Sequence, residues 1–166
     1  LVANSNDDLQ DLLSEGRKLI FIRHAYAPGS GDPDNFDIND CTTQRNLNQE
    51  GVDQSNIIGK YFLQNNIKIG KVISSEWCRC KDTAKYAFKN YETKSFLNSF
   101  FGKKFANNKS SQIKELKEYI EKWDHKNNLV LITHFAVISE ILNISASSGE
   151  IIVTNKDYTV LIRLNN

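Results

Sequence analysis

Three short apolar runs constrain this chain more than any other feature: "LIFI" from Leu19, "KVISS" from Lys71 and "NLVLIT" from Asn128, each followed by a polar break and a stretch of helical period. Brief runs rich in β-branched residues fit strands buried on both faces, which belong to parallel sheets covered by helices. The stretches between them supply such helices. Leu9, Leu12 and Leu13 predict a short helix over 7–15 ended by Gly16, and Asn48 can cap a helix reaching Leu63 with Val52, Ile57, Ile58, Tyr61 and Phe62 as its apolar face. "EWCRCKDTAKYAF" and "FAVISEILN" also read as helices, and Ile113, Leu116, Ile120 and Trp123 form one stripe of another. Two last strands, in "EIIVTN" and "YTVLIRL", are joined by Lys156-Asp157 as a hairpin. The fold class read from this pattern is α/β: a three-layer sandwich with a mostly parallel sheet, helices on both faces and an antiparallel strand at the edge, in one domain over residues 1–166.

The 166 residues are 40% hydrophobic, enough for a substantial core. A net charge of +1, from 21 basic and 20 acidic residues, offers no broad field for nucleic acid or an anionic membrane, so any positive site must be local. No stretch approaches the roughly 20 apolar residues that cross a bilayer. The sequence contains no methionine and opens "LVANSNDD", which suggests export to the periplasm or beyond with loss of a leader, or else a cytoplasmic protein with a trimmed boundary. Cys41, Cys78 and Cys80 cannot all pair, and Cys78-x-Cys80 is not a metal or redox spacing. In an exported protein, a bridge from Cys41 to Cys78 or Cys80 would tie a long loop to the scaffold.

The chemistry collects at the strand ends, where open α/β sheets bind ligands. "LIFI" ends in Arg23-His24, "KVISS" runs into Trp77-Cys78-Arg79, and "NLVLIT" ends in His134, whereas His125 falls on the surface between a helix and a strand. From Ala25 to Asn46 no period survives, and Gly, Pro and Asp mark a long functional loop. Lysine carries most of the positive charge, yet two of the few arginines stand at the presumed crevice, and the guanidinium fork suits phosphate oxygens. Two arginines and two histidines without a metal set point to an anion site for a phosphoryl group. "GSG" at Gly29–Gly31 completes no nucleotide-binding motif.

In order, "FIRHA", "RNLNQEG", "SSEWCRCKDTA" and "VLITH" resemble the motifs of the histidine phosphatase, or phosphoglycerate mutase-like, superfamily, from Leu19 to about Ile152. "APGSGDPDNF", "DCTTQRNL", "WCRC" and "SGEI" are similar to short bacterial members related to phosphohistidine and lipopolysaccharide-core phosphatases, many of them exported. The resemblance implies that His24 is the nucleophile and that Arg23, Arg79 and His134 form the phosphate pocket. Arg23, Arg79 and a protonated His134 could stabilise the charge that magnesium stabilises elsewhere, so neither metal nor organic cofactor is expected. Two positions depart from the pattern. Ala25 stands where glycine is usual, and Asn98 stands where a glutamate supplies the acid. The proton donor is then sought among Asp32, Asp34, Asp37, Asp40 and Glu150, with Asp32 favoured because "GSGD" can fold back over the strand end. Arg45 is a candidate for substrate contact or for an ion pair with the loop aspartates, and Glu150 a second substrate-side candidate.

The expected function is a metal-independent phosphomonoesterase of the histidine acid phosphatase type. Its alternatives are a phosphomutase and a non-catalytic module that binds phosphate or phosphoprotein. A thiol phosphatase on Cys78 or Cys80 lacks the glycine-rich phosphate loop. The expected partner of a monomeric chain is a phosphorylated small molecule, a lipid-linked sugar phosphate or a phosphohistidine protein, with no nucleic acid and no membrane span.

Overall fold

Strand β1 (Leu19–Arg23) is buried on both faces, and the alternation of its side chains divides the core in two. Ile20 and Ile22 pack with one set of helices, while Leu19 and Phe21 pack with another. A computed structural model describes residues 6–165. The remaining α-helices and strands are α1 (Asn6–Ser14), α2 (Gln49–Gln64), β2 (Lys71–Ser74), α3 (Cys78–Phe88), β3 (Glu92–Thr93), α4 (Lys109–Lys122), β4 (Leu129–Thr133), α5 (Phe135–Leu142), β5 (Ile151–Thr154) and β6 (Val160–Leu164).

The strands form one sheet in the order β3-β2-β4-β1-β5-β6. β1 to β4 are mutually parallel through their pairings, and β5 runs antiparallel to both of its neighbours. The hairpin thus brings antiparallel pairing to that side of the sheet as expected, with β5 as the reversed strand and β6 outermost. Leu9 and Leu13 of α1, Ile58 and Phe62 of α2 and Ala84 of α3 cover one face. Leu116 and Ile120 of α4 and Val137 and Ile138 of α5 cover the other. The result is the three-layer α/β sandwich that buried parallel strands require.

Asn48 caps α2 by accepting a hydrogen bond from the Gly51 backbone at 3.0 Å. One expectation for that helix is corrected: Ile57 is 53% exposed rather than core. The buried face of α2 runs through Gly51, Ser55, Ile58, Gly59 and Phe62, because the helix presses so closely on its neighbours that glycines form part of the contact. A Cβ on Gly51 would lie 2.1 Å from the Tyr26 carbonyl oxygen, and one on Gly59 would lie 2.3 Å from that of Ala87. The first close approach seats α2 beneath the loop that leaves β1.

The register decides where the chemistry goes. Leu19 pairs with Leu129 and Arg23 with Thr133, so β1 and β4 end level with each other. The His24 amide continues the pairing, donating to the Thr133 carbonyl at 3.0 Å. His24 and His134 therefore emerge side by side at the C-terminal edge, 110 positions apart in sequence but with ring centroids separated by only 5.5 Å. No helix among the described residues is long and apolar enough to cross a membrane.

Candidate active site

His24 is 2% exposed, and both of its ring nitrogens are engaged. Nδ1 lies 2.9 Å from the Ala25 carbonyl oxygen, and Nε2 lies 3.3 Å from Arg79 Nε. A carbonyl only accepts and a guanidinium only donates, so one neutral tautomer satisfies both: the proton sits on Nδ1 and the Nε2 lone pair faces Arg79. Burial first, and the Arg79 charge second, hold the imidazole well below its ordinary pKa. The Ala25 hydrogen bond acts the other way but does not prevail.

Arg79 enters from the first turn of α3 and is 3% exposed. Its Nη1 donates to Asp32 Oδ1 at 2.8 Å and to the Arg45 carbonyl at 3.3 Å. Asp32 folds back from the long loop, as "GSGD" suggested. Its carboxylate also accepts from the Arg45 amide at 3.0 Å and from the Trp77 indole at 3.2 Å. Arg45 directs its guanidinium to the Gly31 and Ala27 carbonyls, which fixes the loop, and its side chain joins the cavity wall. The ion pair of that loop is therefore Asp32 with Arg79 rather than with Arg45.

Arg23 donates from Nη1 to the Ala146 carbonyl at 2.9 Å and lies over the Phe135 ring, while its buried Nε has no partner. His134, the residue before α5, shares a 2.8 Å hydrogen bond between Nε2 and Ser75 Oγ, and its buried Nδ1 is unpartnered. The expectation of a protonated His134 is corrected. Burial chiefly, then Arg79, His24, Arg45 and Arg23, hold it well below its ordinary pKa, so the ring is neutral near pH 7. Burial and then Arg79 also lower Arg23 and Arg45. Arginines that repel one another and suppress two histidines mark a pocket with positive charge to spare, the condition that favours an anion.

These six side chains, Arg23, His24, Asp32, Arg45, Arg79 and His134, line one cavity of about 440 Å³. Asp34 also stands on its wall, but Asp37 and Asp40 do not. Asp37 and Asp40 shape the loop instead, accepting from the Asn39 and Thr42 amides. Glu150 lies outside the cavity, fully buried and ion-paired with Arg163. Asn98 is tied beside the site, its carbonyl accepting from Ser75 Oγ and the Glu76 amide and its amide donating to Glu76 Oε1.

Cys41 is bridged to Cys78, with Cα atoms 5.8 Å apart, and Cys80 is buried and free. Burial pushes the Cys80 thiol up to about 12. Neither cysteine thus offers the thiolate that a thiol mechanism needs. Among the described residues no group of three or more His, Cys, Asp or Glu side chains is placed to hold a metal ion.

Sequence reasoning did not anticipate the outer wall, where Phe36, Phe101, Lys103, Lys104, Phe105 and Phe135 stand. The one signal available was "FFGKKF", a cluster of rings and charge with no period, in a stretch where a core helix or strand would show one.

No protein-family model matches the sequence, and no curated protein matches it at a significant level. Solved structures do resemble the chain. The structure of the protein histidine phosphatase SixA complexed with tungstate superposes with a TM-score of 0.59 at 14% identity, covering 89% of this chain and 96% of that one. A phosphoserine phosphatase mutant from Entamoeba histolytica in complex with phosphoserine gives 0.58 at 17% identity, over 82% and 89% of the two chains. Phosphoglycerate mutase from Thermus thermophilus gives 0.59 at 15% identity, over 90% and 99%. With its six-stranded mixed sheet and the paired histidines at the strand ends, the chain has the fold of the histidine phosphatase, or phosphoglycerate mutase-like, superfamily.

Proposed function

We propose that this protein hydrolyses phosphomonoesters through a phosphohistidine on His24. The observation that carries the reading is the neutral His24 ring, held through Nδ1 by Ala25 and turning its Nε2 lone pair into a cavity lined by three arginines. In the first step Nε2 bonds to phosphorus as the bond to the ester oxygen breaks, and the Ala25 carbonyl supports the charge that the ring acquires. Water then attacks phosphorus, the P–N bond breaks and inorganic phosphate leaves. Phosphoryl transfer is helped mainly by positioning and by charge on the equatorial oxygens, which Arg23 and Arg79 supply. An arriving phosphate dianion reverses the field on His134 and favours its protonation, so the expected imidazolium would form with the substrate rather than before it.

The leaving alkoxide must take a proton. Asp32 and Asp34 are the candidates on the cavity wall, and Asp32 is assigned the role: once Arg79 turns from it to phosphate, its carboxylate takes up a proton from solvent and passes that proton to the leaving oxygen. Replacing Asp32 with Asn should then depress turnover of alkyl phosphates far more than of para-nitrophenyl phosphate, whose leaving group needs no acid. Equal losses on both would move the role to Asp34.

The deciding experiment is phosphate release from para-nitrophenyl phosphate in chelator, for the parent chain and for His24→Ala. Activity in the parent that falls to background in the variant supports the reading. Phosphate binding without release, in a parent that is well folded, would instead favour a recognition module, and Asn98 in the place of the usual acid supports that second reading. Turnover that depends on a second phosphorylated metabolite would indicate a mutase. The natural partners proposed are phosphorylated small molecules, lipid-linked sugar phosphates or a phosphohistidine protein, acted on by a monomer. The Cys41–Cys78 bridge supports placing the protein in an oxidising, exported compartment.

A further inference from the structure

Four of the nine phenylalanines in the chain, Phe36, Phe101, Phe105 and Phe135, stand on the wall of the arginine cavity. Phe101 is 68% exposed and Phe135 41%, and no other phenylalanine among the described residues is left so open. The remaining two rings are fixed. Phe36 stacks on the Trp77 indole with centroids 4.8 Å apart, and Phe105 meets both edge-on at 5.5 and 5.3 Å. Phe135 is held beneath the Arg23 guanidinium at 5.4 Å. Lys104 holds its ammonium 5.9 Å from the Phe36 ring and 5.6 Å from the Phe105 ring, so even charge at this mouth is directed against aromatic faces.

Apolar rings left open at the entrance of a polar pocket mark a contact surface for something that is not yet there. A phosphoryl group seated against His24 and Arg79 must carry its alcohol outward past these rings. Polar side chains line the mouth as well, Asp34 and Lys103 among them, but Phe101 among the rings stays mostly open to solvent. A polyol would set its hydroxyls against the carbon of Phe101, whereas a flat ring can stack on that ring or meet it edge-on.

We propose that the substrate of this site is a phosphomonoester whose alcohol carries a flat aromatic ring, packed among Phe36, Phe101 and Phe105. The proposal rests on the hydrolase reading above. It is tested by calorimetric affinities of the intact chain for three non-hydrolysable probes, 2-phenylethylphosphonate, 2-cyclohexylethylphosphonate and propylphosphonate, with turnover of para-nitrophenyl phosphate measured in parallel.

The phenyl probe should bind about tenfold more tightly than the propyl probe and more tightly than the cyclohexyl one, and Phe101→Ala should narrow both gaps. Phe101 is exposed, so this variant disturbs the fold least. Equal affinities for the phenyl and cyclohexyl probes, in a chain that turns over para-nitrophenyl phosphate, overturn the proposal and leave the hydrolase standing. Absence of any turnover overturns the hydrolase and the proposal with it.

Discussion

His24 and His134 are kept neutral by a shortage of water and a surplus of guanidinium, and the same forces link proton binding to folding. Unfolding returns both rings to their ordinary value of 6.5, so below that pH the unfolded chain binds protons that the folded chain refuses. Stability is therefore full above the unfolded value and declines as the solution is acidified through it. With both rings contributing, the slope approaches about 2.7 kcal/mol per pH unit. Melting temperatures recorded between pH 7.5 and 5.5 should fall accordingly, and His24→Gln with His134→Gln should flatten the curve. Saturating phosphate should also flatten it, because a bound anion lets the rings take up protons in the folded state.

At the scale of elements, the positions that mattered were those where a helix meets its neighbour. Gly59 lets α2 approach the carbonyl of Ala87 in α3, and α3 in turn carries Arg79 in its first turn. In a helix interior Gly→Ala ordinarily gains about 1 kcal/mol. Here the added carbon has no room, and Gly59→Ala should instead lose about 1–3 kcal/mol in urea unfolding, as overpacking does. Because α3 must shift to relieve the clash, affinity for inorganic phosphate should weaken in the same variant; a stability loss with unchanged affinity would uncouple the helix contact from the site.

This dependence on contact also explains what the sequence did and did not make legible. The Asn48 cap, the apolar strand runs and the polar residues that end β1 and β4 are local signals, so the helices, the parallel sheet and the Arg23, His24, Arg79 and His134 set could be read directly. Periodicity puts Ile57 in the core because it cannot show that glycines form part of the inner face of α2. β3 is two residues long and exists only by pairing with β2, which leaves no pattern to read. The neutral resting state of His134 is not legible because burial, and after it arginines from three separate segments, suppress its charge only once the chain has folded. The aromatic wall was missed for a similar reason, since Phe36 and Phe101 meet one cavity only after two irregular loops have folded.

Across the whole molecule, the site is assembled from β1, the long loop, α3 and the end of β4, and one covalent link spans it. The Cys41–Cys78 bridge joins residues 37 positions apart and fastens the loop that carries Asp32 and Arg45 to the helix that carries Arg79. Closing a loop of that length removes conformational freedom from the unfolded chain and is worth about 2–4 kcal/mol. Cys41→Ser should lower stability by that amount in urea, with wild type under oxidising conditions as the reference. An unchanged midpoint would mean that the bridge contributes nothing to holding the fold.

The bridge also closes a ring of main chain, and the ring contains the whole of α2 and β2. A protease that cut once at the turn around Asn65 and Asn66 would open the ring without releasing a piece. The nicked molecule would travel as a single species in a denaturing gel and separate into two only when thiol was added. A chain built this way can lose a peptide bond beside its second strand and still keep both sides of its arginine cavity in one molecule.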